Sequence, residues 1–168
     1  MTKMTNALHF DEILECILDN IGRVVDHDAA SISIIEGGVL RNRYLRGYSA
    51  ETTQQLSSLE FRVIDAPVTR EGITSGKTQI INDTANDPRW IRLVVMREAV
   101  NGRSVLCVPV KTHGQVIGFI YLDKFDIDGF TQKDAQRMDV FADQAAIALT
   151  NAALYDTIDH NATRTRQL

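Results

Sequence analysis

Thiols and imidazoles are the side chains best suited to covalent or metal chemistry in this sequence, and they are few and scattered. The 168 residues include two cysteines, Cys16 and Cys107, and four histidines. The histidines show no ligand spacing, and the chain carries no glycine-rich phosphate loop. Cys107 falls inside a predicted strand, where a cysteine is usually a small apolar core residue. We therefore predict a chain without catalytic residues and without a metal site.

Composition limits the classes of partner and of compartment. The formal net charge is −4 and the isoelectric point is about 5.5, so the chain lacks the broad positive field of a nucleic-acid-binding protein. No apolar run reaches the length of a membrane span, and the N-terminus lacks the apolar segment of a signal peptide. The sequence predicts a cytoplasmic protein that binds neither nucleic acid nor membrane.

Apolar spacing in the first half predicts a helix followed by strands. Apolar residues recur at steps of three and four over 6–25, as in an amphipathic helix. The segments 30–35 and 39–48 read as a hairpin around Gly37-Gly38. A short helix or a covering segment is expected over 50–59, a short strand over 61–64, a helix over 68–76 that ends at Gly76, and a strand over 78–81. An irregular helix over 89–100 completes this half.

The second half predicts a hairpin and then a long helix. The apolar runs 105–110 and 116–122 flank His113-Gly114-Gln115, which supplies turn chemistry. Thr131 is a natural N-cap, and the Asp134 carboxylate can reach back to its backbone. These elements give an α+β fold with a central antiparallel sheet. The N- and C-terminal helices would pack on one face, and 67–102 would cover a ligand pocket on the other.

The order of motifs after residue 103 resembles the C-terminal half of a GAF domain, a small-molecule-sensing module of signalling proteins. The motifs are SVLCVPV, GQVIG, FTQKD and QAAIALTNAALY, in that order. The resemblance extends over nearly the whole chain. It implies a non-catalytic sensory domain over 1–159, with 160–168 as a linker or connector to an effector in the same polypeptide, such as a histidine kinase or a nucleotide cyclase.

Residues on the predicted pocket side form the candidate ligand site. Trp90 could stack on a planar ligand, and backbone amides at the start of the helix near Thr69 suit an anionic group. Arginines would add positive charge, and polar residues of the strands would form the bottom of the pocket. The full set is Ser33, Thr69, Trp90, Arg97, Arg103 and Tyr121. The expected ligand is a cyclic nucleotide or another anionic planar compound, while the sequence leaves the cofactor open, haem included.

A partial signature of the GAF domains that bind cyclic nucleotides occurs at the start of the last helix. That signature is N-K followed by F-x-x-x-D-E, and Lys124, Phe130 and Asp134 match it. Asp123 replaces the asparagine and Ala135 replaces the glutamate. A lysine and an aspartate placed in this way also suit a structural clasp between Lys124 and Asp134 that fixes the direction of the helix.

Two stripes of apolar residues run along the last helix, and the sheet can cover only one of them. The first stripe contains Met138 and Phe141. The second is rotated around the axis, so it either widens the core face or meets a partner helix. The resemblance to GAF-containing proteins implies the latter, in a parallel homodimer that also uses the first helix. The second stripe is Val140, Ile147, Leu154 and Ile158. An alternative function is also open, because free methionine sulfoxide reductases resemble stand-alone GAF domains. Such enzymes need several cysteines at the pocket, and this chain offers Cys16 and Cys107.

Overall fold

Residues 4–90 and 103–167 are described by the computed structural model, with side chains described over 11–90 and 103–151. The helices are α1 (Met4–Ile21), α2 (Ala50–Ser57), α3 (Pro67–Ser75) and α4 (Gln132–Gln167). The strands are β1 (Ala29–Glu36), β2 (Val39–Arg46), β3 (Glu60–Arg62), β4 (Gln79–Ile81), β5 (Ser104–Thr112) and β6 (Gln115–Lys124). A single 3-10 turn, Val63–Asp65, separates β3 from α3.

One six-stranded sheet in the order β3-β2-β1-β6-β5-β4 forms the centre of the domain. Every pair of neighbouring strands is antiparallel. The two hairpins follow from local turn chemistry. Gly37 and Gly38 both have positive φ, as do His113 and Gly114. Two successive residues with positive φ are what a tight hairpin turn requires.

The alternation of side chains along each strand separates two apolar cores. On one face, Ile32, Val108 and Ile120 of the sheet pack against α1 and α4. On the other face, Val105 and Phe119 pack against α3 and the segment that ends at Trp90. The predicted α+β fold, with the terminal helices on one face, is confirmed.

The N-terminus of α4 is fixed by a reciprocal capping box. The Asp134 amide donates to Thr131 Oγ1 at 3.2 Å, and the Thr131 amide donates to Asp134 Oδ2 at 2.9 Å. These bonds satisfy backbone donors that the first turn of a helix leaves unpaired. The sequence prediction that Thr131 caps the helix is confirmed.

Several predicted boundaries differ from the structure. The predicted strand 61–64 is a three-residue strand followed by the 3-10 turn, because only Glu60–Arg62 pairs with β2. β2 ends at Arg46 instead of continuing to residue 48. Gly47, with φ of 83°, turns the chain there, and a side chain on it would collide with the Asp28 carbonyl. The irregular helix predicted over 89–100 lies outside the described residues from residue 91 onward.

Candidate functional site

Polar side chains are buried on the sheet face that carries α3. Tyr121 of β6 lies between Ser31 of β1 and Cys107 of β5 in the strand register. Ser33 lies two residues after Ser31, and Asp123 lies two residues after Tyr121, so both are on the same face of the sheet. The exposed fraction is 8% for Tyr121 and lower for the other four residues. We call Ser31, Ser33, Cys107, Tyr121 and Asp123 the polar floor.

Helix α3 lies directly over the polar floor. Thr69 is buried, and its Oγ1 is 3.5 Å from the Tyr121 hydroxyl oxygen. Farther along α3, Gly72 lets the helix backbone lie close to the Phe119 ring. A methyl group at this position would be only 2.8 Å from Cε1 of Phe119. The Phe119 and Tyr121 rings stack with their centroids 5.9 Å apart. The position of α3 is therefore coupled to the two aromatic rings of β6.

Asp123 is the acidic group of the polar floor. The Tyr48 hydroxyl donates to Asp123 Oδ2 at 2.9 Å, and Ser31 hydrogen-bonds to Tyr48 in turn. Burial raises the pKa of Asp123 to about 7, against the lowering effect of the Tyr48 hydrogen bond. Burial also raises the pKa of Tyr121 well above its usual value, so this phenol stays protonated and can donate at neutral pH.

The two cysteines lie far apart in the fold. Cys107 is completely buried in the polar floor, and burial raises the pKa of its thiol to about 12. Cys16 is exposed on α1, which packs on the opposite face of the sheet. A thiol with so high a pKa is a poor nucleophile at neutral pH. The structure thus does not bring the two thiols together.

The other predicted ligand residues have different surroundings. Trp90 is partly buried and packs on the core beneath α3, and Ser33 donates to Asn42 Oδ1 at 2.7 Å. The Arg103 side chain is exposed, while its amide extends the pairing of β5 with β6 through the Lys124 carbonyl. Arg97 lies outside the described residues. The structure therefore groups Ser33, Thr69, Trp90 and Tyr121 on one side of the sheet.

The start of α3 offers fewer amide donors than the sequence predicts. Pro67 has no N–H group, and the Val68 amide donates to the Arg89 carbonyl at 3.3 Å. The Arg70 amide already makes the first helical bond, to the Ala66 carbonyl. Within the described chain, the donors left for an anion in this turn are the amide and hydroxyl of Thr69.

Lys124 and Asp134 have other partners than each other. Lys124 Nζ lies 3.9 Å from Asp26 Oδ2 and 5.3 Å from the centroid of the Phe130 ring. Asp134 is engaged by Thr131 in the capping box, where its Oδ2 accepts from the Thr131 amide. No ion pair between Lys124 and Asp134 is found among the described side chains. In the junction between β6 and α4, the Lys124 ammonium contacts the Phe130 ring, and Ser104 Oγ donates to the Asp126 carbonyl and accepts from the Gly129 amide.

The two predicted stripes of α4 differ in exposure. Met138 is completely buried against the sheet, whereas Val140 and Ile147 are 63% and 66% exposed. The side chains of Leu154 and Ile158 lie outside the described part of α4. The described half of the second stripe is therefore an apolar surface on the side of α4 away from the sheet.

Three residues of the site were not identified from the sequence: Ser31, Asp123 and Tyr48. Ser31 lies two residues before Ser33 on the same face of β1. Asp123 could have been found, because it lies two residues after Tyr121 on the same face of β6. Tyr48 gave no comparable signal, since it follows the end of β2 and reaches Asp123 across 75 residues of sequence.

An open groove of about 520 Å³ lies near the turn between β1 and β2. It contains apolar residues of the 3-10 turn and of α3, with two arginines beside them. Its lining is Gly37, Gly38, Val39, Arg62, Val63, Ile64, Arg70, Ile73 and Thr74. It includes none of the predicted ligand residues, so it is distinct from the polar floor.

One family model matches most of the chain. It is the model of the GAF domain, and the match covers residues 9–149. A dual 3',5'-cyclic-AMP and -GMP phosphodiesterase 11 of Drosophila melanogaster is 30% identical over 109 residues, which are 63% of this chain and 8% of that protein. The chain therefore spans a small part of the length of this curated relative.

Solved structures share the fold at low sequence identity. A GAF domain/HD domain protein from Geobacter sulfurreducens has a TM-score of 0.76 at 14% identity, covering 86% of this chain and 94% of that one. A type II free methionine-R-sulfoxide reductase from Thermoplasma acidophilum has a TM-score of 0.67 at 16% identity, covering 87% and 95%. Among the described residues, no helix is both long and apolar enough to cross a bilayer.

Proposed function

Because this chain belongs to the GAF domain family, we propose that it is a non-catalytic sensory domain that binds a small molecule at the polar floor, on the face of the sheet that α3 covers. The observation that carries this proposal is the burial of three hydroxyls, a thiol and a carboxyl on one face of a sheet whose opposite face packs a large apolar cluster against α1 and α4. Buried polar groups lower stability unless they are hydrogen-bonded, and binding sites are where such groups are concentrated.

The proposed ligand is planar and carries an anionic group, with cyclic nucleotides as the first class to test. Trp90 packs on the same side as Thr69, so a ring placed there would contact both. The hydroxyls of Thr69 and Tyr121 would bind the polar edge of the ligand. Arg97 is proposed to supply the positive charge. Arg89 is already engaged, because it donates to Asp87 at 2.8 Å and to the Ile80 carbonyl at 2.8 Å.

A ligand that binds in this way should raise the melting temperature and change the fluorescence of the single tryptophan, Trp90. At a concentration 100 times Kd, binding stabilises the folded state by about 2.7 kcal/mol, which corresponds to roughly 5–10 °C in a domain of this size. We would screen cyclic nucleotides, nucleotides and aromatic acids by both signals. The Tyr121→Phe and Thr69→Val variants should weaken binding of any hit.

The control is Ile64→Ser, which changes an exposed side chain of the separate groove and should leave binding unchanged. If no compound in the three classes moves either signal, the proposed ligand chemistry is refuted. A hit whose affinity depends on Ile64 instead of Tyr121 would move the site to the groove.

We also propose that α4 passes the bound state to an effector in the same polypeptide, through a parallel dimer. The length of α4 supports this proposal. Its 36 residues span about 54 Å, whereas the nine-residue strand β5 on which it packs spans roughly 30 Å, so the helix extends beyond the sheet. On α1 the exposed positions include Glu12 and Glu15, which would repel their copies in a partner. We therefore assign the dimer seam to α4. Histidine kinases and nucleotide cyclases are the proposed effectors, and the cytoplasm the proposed location.

The alternative function, reduction of free methionine sulfoxide, requires reactive cysteines at the pocket. Because the Cys107 thiol is buried with a pKa of about 12, we expect no turnover of free methionine-R-sulfoxide with a dithiol reductant at pH 7. In the native protein, a thiol-reactive dye should label Cys16 quickly and Cys107 only on unfolding. Turnover that disappears in Cys107→Ser would establish the reductase instead.

A further inference from the structure

One residue of α4 is bonded to the segment that follows α3. The amide and the hydroxyl of Thr78 both donate to Asp139 Oδ1, at 2.9 and 2.6 Å. Thr78 is buried, and Asp139 is partly buried. Hydrogen bonds to a carboxylate are among the stronger ones in proteins, particularly where water has limited access. The contact is therefore a firm attachment between two elements whose bonded residues are 61 positions apart.

The attachment runs around the edge of the sheet. Helix α3 lies over one face and α4 over the other, so the sheet itself separates them. β4 is the edge strand, and Thr78 directly precedes it. Only Gly76, which ends α3 in the left-handed conformation, and Lys77 lie between α3 and Thr78. A displacement of α3 thus reaches Asp139 through a short segment.

We propose that Asp139 is the positioning residue that transmits movements of α3 to α4. This inference rests on the proposed sensory function, since α3 covers the ligand and α4 leads to the effector. Asp139 directly precedes Val140, which is 63% exposed on the proposed dimer seam. A shift of the α4 backbone at Asp139 would therefore change how Val140 meets a partner helix.

Gly72 provides a way to move α3 without a ligand. A methyl group at Gly72 would lie 2.8 Å from Cε1 of Phe119, a separation that real side chains do not tolerate. The Phe119 ring is fully buried and stacked on Tyr121, so it has little room to withdraw. We therefore expect Gly72→Ala to displace α3 from the sheet.

The test is hydrogen exchange measured by mass spectrometry on the whole chain. In the wild-type background, Gly72→Ala should change amide exchange in 137–147 of α4 by about 2- to 30-fold, the range expected for coupling through a packed network. In the Asp139→Ala background, Gly72→Ala should still change exchange in α3 but no longer in α4. Asp139→Asn keeps an acceptor oxygen and should preserve transmission.

Thr74→Ala is the matched control, because it changes an exposed residue of the same helix and should alter α4 in neither background. Should Gly72→Ala not fold, Thr69→Val perturbs α3 by removing the hydroxyl beside Tyr121. An equal response of α4 with and without Asp139, or no response in either, would overturn the proposal. Because this experiment uses no ligand, its result does not depend on whether the ligand screen finds a binder.

Discussion

The free energy of unfolding is expected to fall by about 3 kcal/mol between pH 5 and pH 8 because of Asp123 alone. The buried carboxyl has a pKa of about 7, against 3.8 for an ordinary aspartate. Between these values the folded protein keeps a proton that the unfolded chain has lost. The stabilising contribution is therefore fully present below about pH 4 and is lost as the pH rises to about 7.

Asp123→Asn is the variant that isolates this effect. The amide cannot ionise and can still accept the Tyr48 hydrogen bond, so the variant should be more stable than wild type at pH 8. Urea unfolding at pH 5, 6, 7 and 8 would measure the difference between the two proteins. Subtracting one curve from the other removes the shared contribution of the four histidines.

Two further variants test the assignment. Tyr48→Phe removes the hydrogen bond that lowers the Asp123 pKa, so its loss of stability should continue to a higher pH than in wild type. Asp126→Asn changes an exposed aspartate in the same region and should follow the wild-type curve. Parallel curves for wild type and Asp123→Asn over this range would show that Asp123 is ionised in the folded state throughout.

The elements that the sequence predicted well are those determined by neighbouring residues. The turn at His113-Gly114 and the capping box of Thr131 and Asp134 depend on contacts within a few residues. The sequence also predicts Ser33 and Tyr121 on strands of the sheet, and both lie on the face that carries α3. Local chemistry of this kind can be read directly from the chain.

The contacts that the sequence did not predict join distant segments. Tyr48 meets Asp123, and Thr78 meets Asp139, only because the sheet and its edge bring them together. The sequence predicts Asp134 as the partner of Lys124, whereas the structure places Asp26 nearest to its ammonium group. A signature of residue types thus identified the junction between β6 and α4 but not the partner of its lysine.

Replacing Val140 and Ile147 together with aspartate should convert a dimer into a folded monomer. The two side chains lie seven residues apart, so they share one side of α4, and both are more than half exposed. In the proposed dimer each would be buried against its copy. Their loss should weaken association by about 3 kcal/mol or more, at least roughly a hundredfold in Kd, while costing the isolated domain little.

The matched control is the pair Ile64→Asp and Ile127→Asp. These substitutions also remove two exposed isoleucines and add two charges, but they lie outside α4. Light scattering and sedimentation should give a dimer for wild type and for this control, and a monomer for the α4 pair. A wild-type protein that stays monomeric at high micromolar concentration would refute the proposed dimer.

The direction of the two helices can be tested separately with Val140→Cys in a Cys16→Ser background, which removes the exposed native thiol. In a parallel dimer each residue of the seam faces its own copy, so the two introduced thiols would oxidise readily to a disulfide-linked dimer. An antiparallel arrangement would instead place position 140 opposite a different residue of the partner. If the protein is a dimer but resists this crosslink, the α4 seam would still stand. The parallel geometry needed to carry a signal to two adjacent effectors would then be excluded.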